Sequence, residues 1–486
     1  MAAVEYLVVP EDLLLSPTPV VDDLGRLFAA SGEEIALVGG PVRDALLARL
    51  GTDWDFATSA SPDVTERLVR GWADTVWTVG RDYGTIGCRK DGHQIEITTY
   101  RSETYDPDSR KPDVRYGRTL EGDLSRRDFT INAMAVRLPE RRFVDPFGGR
   151  DDLAARVLRT PSTPQQSFAD DPLRMMRAAR FASQLDFALA PEVVSAMHDM
   201  AERLAIVSAE RIRDELVKLV TAPYPRRGLT LLVTTGVADH VLPELPALKL
   251  ERDEHHHHKD VYEHTLTVLE QAIALEGRLV DPLAKPRPDF VTRFAALMHD
   301  VGKPRTRRFA GDGTVTFHHH DVVGAKITRN RMRALRFSTE TTEAVALLVE
   351  LHLRFHGYGT GEWTDAAVRR YVRDAGPQLQ RLHVLTRADC TTRNRRKAER
   401  LQRMYDALEK RIEQLLEAEE LAAIRPDLDG NAIMALLGIP AGRAVGEAYR
   451  FLLELRMEHG PVGEERAREE LLRWWAGRQD GRDATR

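Results

Sequence analysis

The stretch IALVGGPVRDALLARLGTDWDFAT, residues 35–58, decides the fold of the N-terminal part of the chain. Residues 35–38 form a short apolar run that ends in two glycines, which is typical of a strand that enters a turn. Residues 42–50 have the apolar spacing of a helix, and residues 54–56 and 94–98 alternate in polarity as half-buried strands do. The stretch therefore predicts a strand–turn–helix–strand unit, with a further strand near residue 96.

Asp53 and Asp55 are the first candidate catalytic residues. Residues i and i+2 of a strand point to the same face, and two carboxylates there repel each other unless a cation lies between them. Mg²⁺ suits this pair because it binds a few carboxylates and completes its shell with substrate phosphates. Glu96 supplies a third carboxylate, since Ile95 and Ile97 are expected on the opposite, buried face. An exposed acidic loop is the alternative for the Asp-x-Asp pair alone.

Gly39, Gly40 and Arg43 form a candidate phosphate site about a dozen residues upstream. Two glycines let the backbone approach phosphate oxygens closely, and the start of a helix offers free N–H groups to an anion. Arg43 adds a guanidinium that can bind two oxygens. A tight turn would explain the glycines alone, but their position near the acidic pair favours a site for a metal-bound triphosphate.

Three motifs together resemble a known family: LVGGPVRD (37–44), DWDFAT (53–58) and RRDFTINAMA (126–135). They are similar to the signature of the class II tRNA nucleotidyltransferases and bacterial poly(A) polymerases, the CCA-adding enzymes of the polymerase β superfamily. The likeness extends from about residue 20 to at least residue 225. It implies an α/β nucleotidyltransferase (polymerase β-like) head with a mixed sheet, followed by all-α neck, HD and tail domains. The expected boundaries are head 1–150, neck 151–236, linker 237–257, HD domain 258–395 and tail 396–486.

The resemblance also implies roles for individual residues. Asp53 and Asp55 would hold two Mg²⁺ ions, and Glu96 matches a third catalytic carboxylate. One ion would help to deprotonate the RNA 3′-hydroxyl, and both would brace the α-phosphate during in-line attack. The nucleotide-binding positions implied in the three motifs are Gly39, Gly40, Arg43, Arg127, Asp128 and Asn132.

A second candidate site lies in FADDPLRMMRAARF, residues 168–181. Asp171, Arg174, Arg177 and Arg180 recur every three residues, which places them on one flank of a helix. A carboxylate and a guanidinium can match the hydrogen-bonding edges of cytosine and adenine, although an ordinary exposed helix has the same spacing. The resemblance implies that Asp171 and Arg174 read the incoming base, with Asp170 where the family has Glu. In the following neck motif, the bracing residues implied are Glu210 and Arg211.

Residues 101–117, RSETYDPDSRKPDVRYG, predict a mobile loop because they are polar and contain two prolines. In the family, a flexible loop at this place accompanies the switch from C to A addition. The resemblance therefore favours full CCA addition to tRNA, with CMP and AMP taken from CTP and ATP and pyrophosphate released. A-only addition and poly(A) synthesis remain open, although the C-terminal part has no extended, strongly basic tail.

The C-terminal half contains a histidine–aspartate pattern around LMHDVGKP, residues 297–304. It resembles the HD-superfamily phosphohydrolases over roughly residues 258–395, and residues 304–318 predict a small hairpin within it. The resemblance implies a divalent metal bound by His264, His299, Asp300 and Asp389, and a second metal bound with His320 and His352. The family activities implied are 2′,3′-cyclic phosphodiesterase and 2′-phosphatase on RNA. A site that only supports the fold is the alternative, as is a phosphohydrolase whose head merely binds RNA.

Composition sets the remaining expectations. The 486 residues carry a net charge of −5, so tRNA phosphates must meet local basic faces such as residues 326–336 and 393–411. Cys88 and Cys390 fit neither a disulfide framework nor a metal site, which favours a reducing cytoplasm. No apolar run is long enough for a membrane span, and the N-terminus lacks the pattern of a signal peptide. The sequence does not predict an oligomeric state.

Overall fold

A computed structural model describes residues 19–49, 53–104, 113–117, 119–249, 260–279, 288–309, 315–355, 363–391, 394–419 and 425–483. The chain divides into two compact units. The first contains residues 1–246 and 334–336, and the second contains residues 247–333 and 337–486. Every helix in the described ranges is too short or too polar to cross a lipid bilayer.

A seven-stranded mixed sheet forms the centre of the described part of the head. Its strands are β1 Ile35–Val38, β2 Asp53–Thr58, β3 Thr75–Trp77, β4 Thr85–Lys90, β5 His93–Thr99, β8 Ala135–Leu138 and β9 Arg142–Val144. They lie in the order β3-β4-β5-β2-β1-β8-β9. The pair β2–β5 is parallel, whereas the other neighbours are antiparallel. The helices of the head are α1 Pro19–Ala30, α2 Gly40–Leu46, α3 Pro62–Arg70, α4 Leu120–Ser125 and α5 Gly149–Ala155.

The central strand β1 is buried along its whole length, which explains its unbroken apolar sequence. Leu24 and Phe28 of α1 are also fully buried. The predicted strands at 35–38, 54–56 and 94–98 are confirmed. The predicted helix at 42–50 is misplaced, because α2 begins at Gly40 and ends at Leu46. Pro41 fits the first turn of a helix, and Ala48 has a positive φ of 54°, which does not continue one.

The prediction of a loop over residues 101–117 is wrong at both ends. Residues 101–104 form β6 and residues 113–116 form β7, and the two strands pair in antiparallel register. Backbone hydrogen bonding does not depend on side-chain polarity, so a polar, charged segment can still form a two-stranded ribbon. Residues 105–112, which include both prolines, lie outside the described residues.

The neck is a helical bundle within the same unit. Its helices are α6 Pro164–Asp170, α7 Leu173–Leu185, α8 Pro191–Met200, α9 Ala209–Val220, α10 Pro225–Thr234 and α11 Val237–Val241. Two short strands, β10 Val157–Leu158 and β11 Ala188–Leu189, pair in parallel at its start. Helix α7 packs against both α9 and α10.

The predicted linker at 237–257 is wrong in its first half. Residues 237–248 contain α11 and a 3₁₀ turn at 246–248, and their apolar side chains are buried: Val237, Val241, Leu242, Leu245 and Leu248. Of the prolines that favoured a linker, Pro243 lies between these elements and Pro246 begins the 3₁₀ turn, so neither interrupts a helix. Residues 250–257 lie outside the described residues.

The second unit is almost entirely helical in its described part. Its helices are α12 Val261–Leu275, α13 Phe290–Met298, α14 Lys303–Thr306, α15 His320–Ala334, α16 Thr339–Leu351, α17 Asp365–Ala375, α18 Leu379–Ala388, α19 Arg395–Glu419, α20 Gly430–Leu437, α21 Arg443–His459 and α22 Glu464–Asp483. The hairpin predicted at 304–318 is confirmed by the antiparallel pair β12 Arg308–Phe309 and β13 Val315–Thr316. Residues of α20, α21 and α22 share an apolar cluster that includes Ile433, Leu452 and Leu471.

The close packing of α10 on α7 gives a testable prediction. A Cβ at Gly228 would lie 2.2 Å from Ser183 Oγ and 2.3 Å from the Ala179 carbonyl oxygen. We expect Gly228→Ala to lower the free energy of unfolding by about 1–3 kcal/mol, because the added methyl group overpacks this contact. Urea unfolding followed by circular dichroism measures the change.

Gly446→Ala in α21 is the matched control. No described atom lies within 4 Å of a Cβ at Gly446, so alanine should raise helix stability by up to about 1 kcal/mol. Equal effects of the two substitutions would contradict the packing argument.

Candidate active site

The three predicted carboxylates lie on adjacent parallel strands. The register of β2 and β5 sets Asp53 opposite Gln94 and Asp55 opposite Glu96. All three acidic side chains are exposed, whereas Ile95 and Ile97 are fully buried, so the alternation predicted for both strands is present. The two aspartates and Glu96 therefore share one face of the sheet.

Asp55 lies close to two other negatively charged side chains, and these affect its pKa. Its pKa is raised first by partial desolvation, and then by the negative charges of Glu96 and Asp53. The positive charge of Arg127 opposes this shift. A bound cation would favour the ionised form of Asp55 in the same way as Arg127 does.

A cavity of about 640 Å³ opens beside these strands. It brings together most of the predicted site residues: Gly39, Gly40, Arg43, Asp55, Glu96, Arg127, Asp128, Asn132, Asp171, Arg174, Arg177, Arg180 and Arg211. Asp53 is outside the cavity lining, at the exposed start of β2. The cavity is therefore acidic where it meets the sheet and rich in arginine where it meets the neck.

Gly39 occupies the turn between β1 and α2, at one wall of the cavity. Its φ is 73°, in the left-handed region, and a Cβ there would lie 2.7 Å from Arg127 Nη1. Glycine is therefore required both by the backbone conformation and by the approach of the arginine. Gly39 thus brings the motifs at 37–44 and 126–135 into contact.

Asp128 connects the arginines of the head and the neck. Its Oδ1 accepts a hydrogen bond of 2.9 Å from Asn132 Nδ2, and its Oδ2 accepts two from Arg177, at 2.8 and 2.6 Å. Asn132 Oδ1 in turn accepts a 2.7 Å bond from Arg43 Nη1. Burial alone would raise the pKa of Asp128, but Arg177 and Asn132 lower it to about 2. Asp128 and Asn132 thus hold two arginines, Arg43 and Arg177, by their side chains.

Glu215 is a site residue that the sequence analysis missed. It is buried on α9, where its Oε2 lies 2.6 Å from Arg180 Nε and its Oε1 lies 3.7 Å from Arg177 Nη1. Glu210, predicted to brace the arginine helix, is exposed at the start of α9. One feature of the sequence could have identified Glu215. It lies on the apolar face of α9, beside Ile212 and Leu216, where a charged residue needs a buried partner.

The two predicted base-reading residues make protein contacts. Asp171 Oδ2 accepts a 2.7 Å hydrogen bond from Arg211 Nη2, which is the other predicted bracing residue. Arg174 donates from Nη1 to Ser167 Oγ at 2.9 Å and from Nη2 to the carbonyl oxygen of Arg126. Any base recognised by Asp171 must therefore share or replace the contact with Arg211.

The arginines of α7 are not on an exposed helix face. Arg174 and Arg180 are buried, and Arg177 is half-buried. The aromatic ring of Phe181 lies among them, with its centroid 3.9 Å from Arg180 Cζ and 5.3 Å from Arg43 Cζ. This stacking holds the guanidinium planes in place next to the cavity.

Four predicted ligands of the HD pattern meet in the second unit. His264 Nε2 lies 3.0 Å from Asp389 Oδ1 and 3.3 Å from His299 Nε2. Asp300 Oδ2 lies 3.3 Å from His299 Nε2 and 3.6 Å from His264 Nε2. His299 and Asp300 are fully buried. One ligand atom each of His264, His299 and Asp300 lies within 4.8 Å of the others, a spacing that can enclose one ion.

His320 and His352 extend this cluster on the other side of Asp300. Their ligand atoms and one of Asp300 also lie within 4.8 Å of one another, and His320 Nε2 is 3.3 Å from Asp300 Oδ1. His352 Nε2 is buried and has no hydrogen-bond partner among the described residues. Burial and the neighbouring His299 lower the pKa of His352 to about 4, so its ring is neutral at pH 7.

The ring orientations are those of metal-binding histidines. The Nδ1 atoms of His299, His320 and His352 lie 2.8, 2.7 and 2.6 Å from backbone carbonyl oxygens three residues earlier. A carbonyl can only accept, so each Nδ1 donates, and in a neutral ring this leaves the Nε2 lone pair to the cluster. Lys303 Nζ, which the sequence analysis did not single out, lies 2.6 Å from Asp300 Oδ2.

Comparison with known families covers most of the chain. The model described as "Poly A polymerase head domain" matches residues 35–159. The model described as "Probable RNA and SrmB- binding site of polymerase A" matches residues 186–248. The model described as "HD domain" matches residues 261–394. The three matches follow the order of the head, neck and histidine-containing regions.

Similar proteins include two types of tRNA nucleotidyltransferase. The A-adding tRNA nucleotidyltransferase of Deinococcus radiodurans is 35% identical over 458 residues, which are 92% of this chain and 96% of that protein. The CCA-adding enzyme of Levilactobacillus brevis is 45% identical over 208 residues, and the match spans about half of its length (51%). The crystal structure of the Bacillus stearothermophilus CCA-adding enzyme in complex with CTP matches 96% of this chain and 100% of that chain, with a TM-score of 0.65 and 25% identity.

The buried pair of Glu215 and Arg180 gives a prediction. Glu215→Gln keeps the shape of the side chain but leaves Arg180 without its partner charge. We expect it to lower the free energy of unfolding by roughly 3–5 kcal/mol, because breaking a buried ion pair leaves an uncompensated charge. Chemical unfolding of the purified variant measures this loss.

Glu210→Gln, at the exposed start of the same helix, is the control and should change stability by less than about 0.5 kcal/mol. The assignment of Glu215 is wrong if the two variants unfold at the same denaturant concentration.

Proposed function

Since the chain belongs to the family of tRNA nucleotidyltransferases and poly(A) polymerases with a C-terminal HD domain, we propose that it adds CCA to the 3′ end of tRNA without a nucleic-acid template. CTP and ATP are the donors, and pyrophosphate is the leaving group. The observation that carries the proposal is the single cavity that joins Asp55 and Glu96 to the arginines of α7. Phosphoryl transfer needs the first group, and selection of the nucleotide needs the second.

The carboxylates of the head fit Mg²⁺. Asp53, Asp55 and Glu96 offer hard oxygen donors on one face of two paired strands. Among the described residues their oxygens do not gather within 4.8 Å of one another, so an ion would draw the side chains together. Two Mg²⁺ ions bound there would neutralise phosphate charge and lower the pKa of the RNA 3′-hydroxyl.

The residues around Gly39 fit the triphosphate. Gly39 and Gly40 let the backbone approach phosphate oxygens, and Arg43 and Arg127 line the same wall of the cavity. Asp128 and Asn132, counted above among the nucleotide-binding residues, act by holding Arg43 and Arg177 in position. Two fixed cations on this wall would orient the phosphates for in-line attack.

Asp171 and Arg174 carry the proposed selection of the base. Carboxylate oxygens accept from the exocyclic amino groups of cytosine and adenine, and a guanidinium donates to their ring acceptors. Arg177, Arg180 and Glu215 hold α7 at the cavity by buried contacts. A pair of groups held in fixed geometry can replace a template base because it presents the complementary hydrogen-bonding edge.

The proposed partner is the 3′ end of tRNA. Residues 326–336, mostly on α15, and residues 395–411 on α19 carry many Lys and Arg side chains. Helical cations of this kind bind phosphates without reading sequence, which is all that an enzyme with a protein template requires of the tRNA body.

A-only addition is the second candidate for the head. The A-adding enzyme of Deinococcus radiodurans matches almost the whole chain, whereas the CCA-adding enzyme of Levilactobacillus brevis matches less than half of it. The same cavity residues would serve either product, so the two candidates are distinguished by which tRNA 3′ ends the enzyme extends. An A-only enzyme extends tRNA that ends in CC and leaves tRNA that lacks CCA unchanged.

One assay tests both the catalytic role of Asp53 and Asp55 and the identity of the nucleotides added. Transcripts of tRNA ending before CCA, or in CC, are incubated with CTP, ATP or both, and the products are sequenced. We expect the wild-type chain to add CCA to the first and A to the second. Asp53→Ala and Asp55→Ala should each reduce incorporation by at least about a hundredfold, since metal-ion stabilisation of the transition state supplies several kcal/mol.

Asp74→Ala, an exposed aspartate of the same unit, is the control. Addition of A alone, with no extension of the shorter tRNA, favours the A-only candidate. Retained incorporation by the Asp53 and Asp55 variants contradicts the carboxylate assignment.

We further propose a metal-dependent RNA phosphohydrolase in the HD domain. The ring orientation of three histidines supports it, as does the Nε2 of His352, which has no hydrogen-bond partner among the described atoms, because neutral rings in this arrangement can offer Nε2 to an ion. A divalent ion there would polarise a phosphate ester and activate water. His264, His299, Asp300 and Asp389 would hold the first ion, and His320 and His352 would help to hold a second.

Metal analysis of the purified full chain tests this second site. We expect at least one divalent transition-metal ion per chain, and His299→Ala should lose most of it because this ring is central to the cluster. The exposed His198, on α8 in the first unit and therefore not part of this cluster, provides the control His198→Ala. Equal metal content in both variants would contradict the assignment.

A further inference from the structure

The segment from Lys303 to Phe309 is strongly basic and ends in an exposed aromatic ring. Its sequence, KPRTRRF, contains four cations and no acidic residue. The side chains of Arg305 and Arg308 are exposed, and 65% of Phe309 is accessible to solvent. An aromatic ring at this exposure removes little apolar surface from water, so its position is not explained by the stability of the fold.

The arginines of this segment have no acidic partner in the part of the chain that the structure describes. No described carboxylate lies within salt-bridge distance of Arg305, Arg307 or Arg308, although Arg329 on the nearby α15 pairs with two glutamates. Arg307 Nε is buried without a hydrogen-bond partner among the described atoms. Arg307 Cζ also lies 4.8 Å from the centroid of Phe309. Among the described residues, the segment therefore presents a guanidinium over an aromatic ring, together with the exposed side chains of Arg305 and Arg308.

The segment is joined to the metal-ligand cluster by direct contacts. Lys303 Nζ lies 2.6 Å from Asp300 Oδ2 and 5.6 Å from the ring centroid of Phe317. The Phe317 carbonyl oxygen accepts the hydrogen bond from His320 Nδ1 at 2.7 Å. Phe309 of β12 pairs with Val315 of β13. Val315 is two residues before Phe317 in the sequence. The start of the segment thus contacts the histidine–aspartate site directly, and its end is linked to the same site through β13.

We infer that residues 303–309 form a docking platform for a single-stranded RNA end, whose base stacks on Phe309 while Arg305, Arg307 and Arg308 bind its phosphates. The inference rests on the proposed phosphohydrolase function and names the residues that hold the RNA end at that site. Bases stack on aromatic and guanidinium planes, and unpaired cations bind the phosphate backbone. An acidic peptide would satisfy the charges but would leave the stacked ring unused. The platform therefore selects unpaired nucleotides and delivers their terminal phosphate ester to the metal cluster.

The kinetic test compares two RNA hexamers that end in a 2′,3′-cyclic phosphate and carry equal charge, one with all bases and one abasic at its last two positions. Hydrolysis by the full chain is followed after loading with the metal found in the purified protein. We expect Phe309→Leu to raise KM for the complete hexamer by about tenfold, with kcat unchanged, because leucine cannot stack. KM for the abasic hexamer should not change, and Phe309→Tyr should retain the wild-type KM.

Val322→Ala is the control, because Val322 is also exposed but has no ring. A similar KM increase for both hexamers, or the same increase in the Val322 variant, would overturn the stacking role. A fall in kcat without a change in KM would overturn docking.

Cross-linking separates this inference from the phosphohydrolase proposal. RNA hexamers with 4-thiouridine at the 3′ end are irradiated with the full chain, and the linked peptides are identified by mass spectrometry. Cross-links to residues 303–309 or 315–317 support the platform even if no hydrolysis is found, in which case the phosphohydrolase proposal alone fails. Cross-links confined to the head or the tail overturn the platform.

Discussion

The ion pair between Asp128 and Arg177 is the contact on which the proposed nucleotide cavity depends. It fixes a carboxylate of the head to an arginine of α7, and through Asn132 it also holds Arg43. The pKa of Asp128 is about 2, below its value of about 4 in an unfolded chain. The carboxylate therefore stabilises the folded state above pH 4, and this contribution is lost as the pH falls towards 2. Both walls of the cavity consequently rely on one ionised, buried group.

Head and neck contribute different chemistry by different means. In the head, an extended strand sets Asp53 and Asp55 on one face, and the parallel register of β2 and β5 brings Glu96 beside them. In the neck, a helix with arginine at every third position is held against the cavity by Glu215. The proposed metal-binding carboxylates thus come from strand geometry, whereas the proposed base-selecting groups come from helix geometry and buried ion pairs. The histidine–aspartate cluster of the second unit is a separate site with nitrogen and oxygen donors, which suits a different class of metal ion.

The parts of the site that follow from local geometry were predictable from the sequence. Strand alternation predicted the exposure of Asp55 and Glu96, and motif resemblance predicted the fold class. The burial of Arg174 and Arg180 was not predictable from spacing, because their partners lie on other elements. Glu215 was missed for the same reason: it is 35 residues from Arg180 in sequence and in contact only after folding. The strands within residues 101–117 and the packed residues 237–248 show that polarity and proline content indicate loops only where no backbone partner or apolar surface is available.

A double-mutant cycle on Asp128 and Arg177 tests the central claim most directly. The free energy of ATP binding is measured by calorimetry for the wild-type chain, Asp128→Asn, Arg177→Gln and the double variant. If this pair builds the cavity, each single variant weakens binding strongly and the double variant is little worse than either, with a coupling energy of about 1.5 kcal/mol or more. Additive losses, or unchanged binding in the single variants, would show that the cavity does not depend on this contact.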